Sequence, residues 1–193
     1  MNKTKMLALA LLTAGLGGAA SAQDCAIDKD PWELSGDEIT AVYACISDAL
    51  AAGYAAGDNP VAAEYRGWTA TATRPGLHGA HSERLLLTFA NDIGAEAYMR
   101  YEVSDTVTMP VGTILAKESF GFRDTGVVRR GPLFIMEKVA AGEADDYDNW
   151  VYSGVQPNGA PLNISQAFCH DCHAAYSDQD SLGYPLEDIR ITN

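Results

Sequence analysis

The sequence predicts an α+β fold, a mainly antiparallel β-sheet with a long N-terminal helix and a short C-terminal helix. Three observations carry this. Apolar residues recur at helical spacing from Ile39 to Tyr54, behind a Ser35/Glu38 pair with capping-box spacing. Four later segments have the length and residue content of strands. Finally, Ser165 stands where it would cap a last short helix.

In order, residues 23–34 are polar, and Asp28, Asp30 and Pro31 mark an irregular arm. Ile39, Val42, Tyr43, Ile46, Leu50 and Tyr54 then form one apolar stripe, ended by Gly57-Asp58-Asn59-Pro60. A short helical segment at Val61–Tyr65 leads to Trp68. Arg84–Ala90 reads as a strand, followed by an Asn91-capped helix packing through Ile93, Ala97, Tyr98 and Tyr101. Met109-Pro110-Val111-Gly112 breaks the chain before a strand at Thr113–Phe120. Leu133–Val139 and Trp150–Gln156 are further strands, and Pro157-Asn158-Gly159 is a turn. The last helix carries Cys169–Ala175.

The 193 residues suit one domain, and 47% hydrophobic with 20% charged residues excludes wholesale disorder. Thirteen basic against 26 acidic side chains give a net charge of −13, which excludes a phosphate-binding nucleic-acid surface. Residues 1–22 read as an export signal: Lys3 and Lys5, an apolar Met6–Leu16 run, and the Ala20-Ser21-Ala22 cleavage site. That run is too short to serve as a membrane anchor. Removing two lysines and no acid takes the charge to −15. The expectation is a periplasmic protein with an arm and helix at 23–59 and a main domain at 60–193. Cys25 and Cys45 are then an even pair in an oxidising compartment, read as a disulfide stapling the arm to the helix.

Function is concentrated in Cys169-His170-Asp171-Cys172-His173. This is C-x-x-C-H, the attachment signature of c-type haem. One helical turn projects both thiols to the same side for thioether bonds, and His173 follows as the axial ligand of haem iron. His170 is the variable middle residue, expected to face solvent. Two rival readings remain: a thiol–disulfide pair, and a zinc site joining Cys169 and Cys172 to His78 and His81. Otherwise His78 and His81 read as polar loop residues.

The motif lies near the C-terminus, unlike its usual place in small electron-transfer cytochromes c. Together with Leu77-His78-Gly79, Asn91-Asp92 entering a helix that ends near Tyr98, Gly112-Thr113-Ile114-Leu115-Ala116-Lys117-Glu118 and Gly131-Pro132-Leu133-Phe134, it makes residues 60–185 resemble the cytochrome P-460 family, including the cytochromes c′-beta. The resemblance implies a homodimer with one covalent haem c per chain and five-coordinate iron open on its distal side. In P-460 cytochromes a strand lysine is joined to the haem and hydroxylamine is oxidised; the matching residue is Lys117. In the c′-beta branch the link can be absent, and nitric oxide binds in a pocket capped by Phe.

Without the resemblance, Lys117 reads as a solvated strand residue on one face with Thr113, Leu115 and Ser119. Hydroxylamine oxidation needs a proton acceptor, for which Glu118 and Glu137 are the carboxylate candidates. A gas pocket needs apolar crowding, available from Phe120, Phe122, Phe134 and Met136. A plain electron carrier, the alternative class, needs a sixth ligand such as Met99, Met109 or Met136, and a redox partner protein.

Overall fold

The computed structural model describes residues 25–192, so the export signal at 1–22 lies outside the described residues. The fold is α+β with an antiparallel sheet, as the sequence predicts. Strands β1 (Thr69–Ala70), β2 (Gly76–His78), β3 (Arg84–Ala90), β4 (Ile114–Phe122), β5 (Val128–Arg130), β6 (Leu133–Lys138) and β7 (Trp150–Val155) form one sheet of order β1-β3-β4-β6-β7. β2 and β5 pair with β3 and β4 outside that path. The register sets Thr88, Lys117 and Phe134 in one row across β3, β4 and β6. Side chains alternate along each strand, so this row fixes which residues share the site's face.

Helix α1 (Gly36–Tyr54) covers the opposite face. It starts where Ser35 Oγ accepts the Glu38 N–H at 3.3 Å and Glu38 Oε2 accepts the Ser35 N–H at 2.8 Å, satisfying two donors that a helix end leaves orphaned. Its Ile39, Ile46, Leu50 and Tyr54 are buried against Leu85, Phe89, Ala116 and Phe120. Helix α2 (Pro60–Glu64) follows, capped by Asn59. The arm is held by the Cys25–Cys45 disulfide, with Cα atoms 6.1 Å apart, and by Cys25 O accepting the Val128 N–H at 3.0 Å. Closing a loop of this length contributes about 3 kcal/mol in the chain-entropy model.

A second core lies on the other face of the sheet, where Leu115, Met136, Trp150 and Tyr152 meet Tyr98, Leu182 and Tyr184. Here the helix predicted after Asn91 is shortened. Asn91 Oδ1 accepts the Gly94 N–H at 3.2 Å, but it also accepts Ile114 N–H at 3.0 Å, tying the turn to β4. Helix α3 spans only Ala95–Tyr98, and Tyr101 has a left-handed φ of +47°. The predicted packing face is therefore broken, with Ile93 left 54% exposed. Gly159 (φ +83°) supplies the left-handed residue of the predicted turn after β7. Among the described residues no helix is long and apolar enough to cross a membrane.

Candidate functional site

Helix α4 (Gln166–His173) begins with Ser165 Oγ accepting the Phe168 N–H at 3.2 Å. Gln166 then grips β7 like a strand partner: its Nε2 donates to Tyr152 O at 2.6 Å and its Oε1 accepts the Tyr152 N–H at 2.7 Å. This clip anchors the helix beside the sheet face that carries Lys117. Cys169 is half-buried, Cys172 is exposed, and both are free thiols. His173, one residue on, is buried. Its Nδ1 lies 2.7 Å from Ser181 O, and since a carbonyl only accepts, the proton sits on Nδ1 and Nε2 keeps its lone pair.

Cys169, Cys172 and His173 line a cavity of about 390 Å³ with Lys117, His78 and His81. Its apolar wall includes Leu86, Leu115, Phe134, Met136, Tyr152 and Leu182. Every nitrogen base here is pushed toward its neutral form. Burial, then the Lys117 charge, lowers His173 to about 4 and His81 to about 3. The same two causes lower His78. Burial alone lowers Lys117 to about 8, and among the described residues its amine has no ion-pair partner.

A pH dependence follows for protein whose Lys117 amine is free. The folded chain sheds this proton from about pH 8, whereas an ordinary lysine holds it to 10.5, so unfolding free energy rises with pH between those values. In denaturant titrations the wild type should gain stability relative to Lys117→Met as pH climbs from about 8 to 10. A flat difference would contradict a desolvated amine.

The sequence-predicted residues divide. Lys117 and Phe134 are brought together with the Cys/His motif. Glu118 is on the opposite face of β4, 1% exposed beneath α1 and bonded to Tyr43, Tyr65 and Arg66. Phe120 belongs to the same opposite core, and Phe122 packs at its edge. Glu137 is exposed on β6, out of step with Phe134 and Met136 by strand alternation. Glu118, Glu137, Phe120 and Phe122 are thus absent from the cavity wall, because each points away from the Lys117 face. Of Met99, Met109 and Met136, only Met136 lines the cavity.

Two histidine expectations change as well. His170 does not face solvent freely: it packs against Tyr147 and Tyr152 with ring centroids 5.6 and 6.2 Å away. His78 and His81 are cavity residues and not plain loop residues. The His81 ring lies 4.5 Å from Phe134 and 6.3 Å from His173, centroid to centroid. Its backbone and those of Ser82 and Glu83 are all left-handed (φ +58°, +63° and +53°), a conformation that costs a non-glycine residue about 1–2 kcal/mol.

Sequence reasoning also missed Arg84, Lys138, Asp148, Asp180 and Ser181. Alternation along β6 does put Lys138 on the face of Phe134 and Met136, a signal that was available. Alternation along β3 likewise sets Arg84 with Leu86 and Thr88 on the cavity wall, and only the other three depend on loop geometry that no periodicity reports.

The donor set suits a haem. It offers two thiols one helical turn apart, a neutral imidazole with Nδ1 already bonded, and an apolar slot beside them. Arg84, on the cavity wall, has its Nε buried with no partner among the described residues, as an anchor for an anionic substituent would. The zinc arrangement fares worse: among the described residues no three His, Cys, Asp or Glu side chains gather as a metal-ion site. Compared with known proteins, the chain matches no family model and no curated sequence.

Proposed function

We propose that this chain is a periplasmic mono-haem c-type cytochrome of the P-460/c′-beta kind, acting on small nitrogen compounds, hydroxylamine or nitric oxide, at an open iron position. What carries the reading is one observation: the C-x-x-C-H helix presents His173, Nδ1 bonded to Ser181 O at 2.7 Å, to a largely apolar cavity shared with Lys117. Cys169 and Cys172 would hold the haem by thioether bonds, His173 would bind its iron, and Arg84 would pair with a propionate. When bound, the haem supplies a one-electron iron centre with an exchangeable ligand position.

The chain's residues then have separable tasks. Leu86, Leu115, Phe134 and Leu182 keep bulk water from the cavity. His173 Nδ1 holds its proton against the Ser181 carbonyl, which keeps Nε2 a strong donor. Proton removal from a nitrogen substrate falls to His81, His78 or neutral Lys117, since the two carboxylate candidates lie elsewhere. The export signal and the Cys25–Cys45 disulfide fit an oxidising compartment.

Met136 in the cavity wall favours a second reading, an electron carrier with Met136 as sixth ligand. The absorption spectrum of the ferrous protein separates them. A five-coordinate haem, with a red-shifted Soret band if Lys117 is linked to the ring, supports the proposal. A six-coordinate spectrum inert to nitric oxide overturns it and leaves the carrier.

A further inference from the structure

Behind His173 lies a polar cluster that neither the motif nor the cavity accounts for. The carbonyl that accepts from His173 Nδ1 belongs to Ser181, and Asp180 and Ser181 are both left-handed, with φ of +55° and +60°. Two consecutive non-glycine residues adopt that conformation only where their surroundings enforce it.

The enforcement is visible at each atom. Lys138 Nζ donates to Asp180 Oδ1 at 2.6 Å and to Asp148 O at 2.8 Å. The Met109 N–H donates to Asp180 Oδ2 at 2.7 Å, and Trp150 Nε1 donates to Asp180 O at 2.8 Å. Ser181 Oγ donates to Asp148 Oδ2 at 2.6 Å, and the Ser181 N–H to Tyr176 O at 2.9 Å. The Lys138 and Asp180 side chains are only 7% and 8% exposed, and Lys138 lies over the Trp150 ring at 5.0 Å. A desolvated ion pair of this kind is an expensive way to gain stability alone, since an apolar pair of similar volume often does as well.

We propose that Lys138 and Asp180 are positioning residues for the axial ligand. Their ion pair locks the Asp180–Ser181 turn, aiming the Ser181 carbonyl at His173 Nδ1 and setting how strongly the imidazole donates to haem iron. This rests on the haem reading above. A firm Nδ1–H···O bond makes the imidazole more basic and favours ferric iron; a loosened one favours ferrous iron.

The test is the reduction potential of the haem-loaded protein by spectroelectrochemical titration, with the iron–histidine stretch of the ferrous form by resonance Raman. In Asp180→Ala the ferric/ferrous equilibrium is expected to shift about tenfold toward ferrous, about 59 mV for one electron, with a lowered stretch frequency. Lys138→Arg, which keeps the pair, should stay near wild type. Should Asp180→Ala fail to fold, the double variant Lys138→Met/Asp180→Leu decides, since it leaves no unpaired buried charge. Folded variants with wild-type potential and stretch would overturn the positioning role while leaving the haem reading intact. A wild-type protein lacking covalent haem would overturn both.

Discussion

Replacing Cys169 and Cys172 together by Ala will yield an exported chain from which haem is fully lost on acid–acetone extraction, whereas the wild-type polypeptide keeps its colour. The reason is geometric. The two thiols lie one helical turn apart at the end of a helix clipped to β7 by Gln166, and both line the cavity beside His173. Burial and then Cys172 raise Cys169 above an ordinary thiol, so it does not react as an activated thiolate would. That environment suits a structural attachment point better than a redox dithiol. Single variants should retain one thioether each, visible as a shifted haemochrome band. Retention of covalent haem in the double variant would refute the attachment assignment.

The second large effect concerns stability. Glu118→Ala is expected to cost about 3 kcal/mol in denaturant titrations, the low end for breaking a buried ion pair, because part of Arg66 reaches solvent. Glu118 Oε1 accepts from Tyr65 OH at 2.5 Å and Arg66 Nε at 2.6 Å, and Oε2 accepts from Tyr43 OH at 2.7 Å. Truncation would take the acceptor from two tyrosine hydroxyls and the counter-charge from a guanidinium that keeps only Ser47 O and Tyr65 OH as partners among the described residues. Burial raises the Glu118 carboxyl above the ordinary carboxylate range, against the pull of Arg66 and the two tyrosines. A raised folded-state value means that its contribution is greatest below the ordinary carboxylate range and declines as pH rises through the folded value. Glu118→Gln, which keeps the shape and an acceptor, should remove that pH dependence at a smaller cost. Glu118 and Lys117 are neighbours on opposite faces of β4, so the register that buries Glu118 beneath α1 also turns Lys117 to the cavity. An unchanged midpoint in Glu118→Ala would contradict this account of the cluster.

How much of this was legible in the sequence depended on how local each signal was. The Ser35/Glu38 capping box formed as its spacing predicts, because both partners sit within one turn. Arg84–Ala90 is a strand to the residue. The two-residue periodicity correctly separated Lys117 and Leu115 from Glu118 and Phe120. Periodicity does not say which face meets the cavity; the pairing of β4 with β3 and β6 does, and it places Glu118, Phe120 and Phe122 away from it. β1, β2 and β5 escaped because two- and three-residue strands carry no periodicity. The left-handed turns at His81–Glu83 and Asp180–Ser181 are set by tertiary contacts, and both bring site residues into place. The placing of the Cys/His motif on a Ser165-capped helix was legible because those residues are adjacent in sequence, whereas the packing of His170 against Tyr147 and Tyr152 was not, since both rings come from distant segments.

Covalent attachment of haem through Cys169 and Cys172 is decided by the mass of the denatured, exported protein. The expected mass is that of residues 23–193 with one Cys25–Cys45 disulfide, increased by one haem and accompanied by a haemochrome spectrum of two thioether bonds. A bare polypeptide mass, with Cys169 and Cys172 free or bridged to each other, would contradict it.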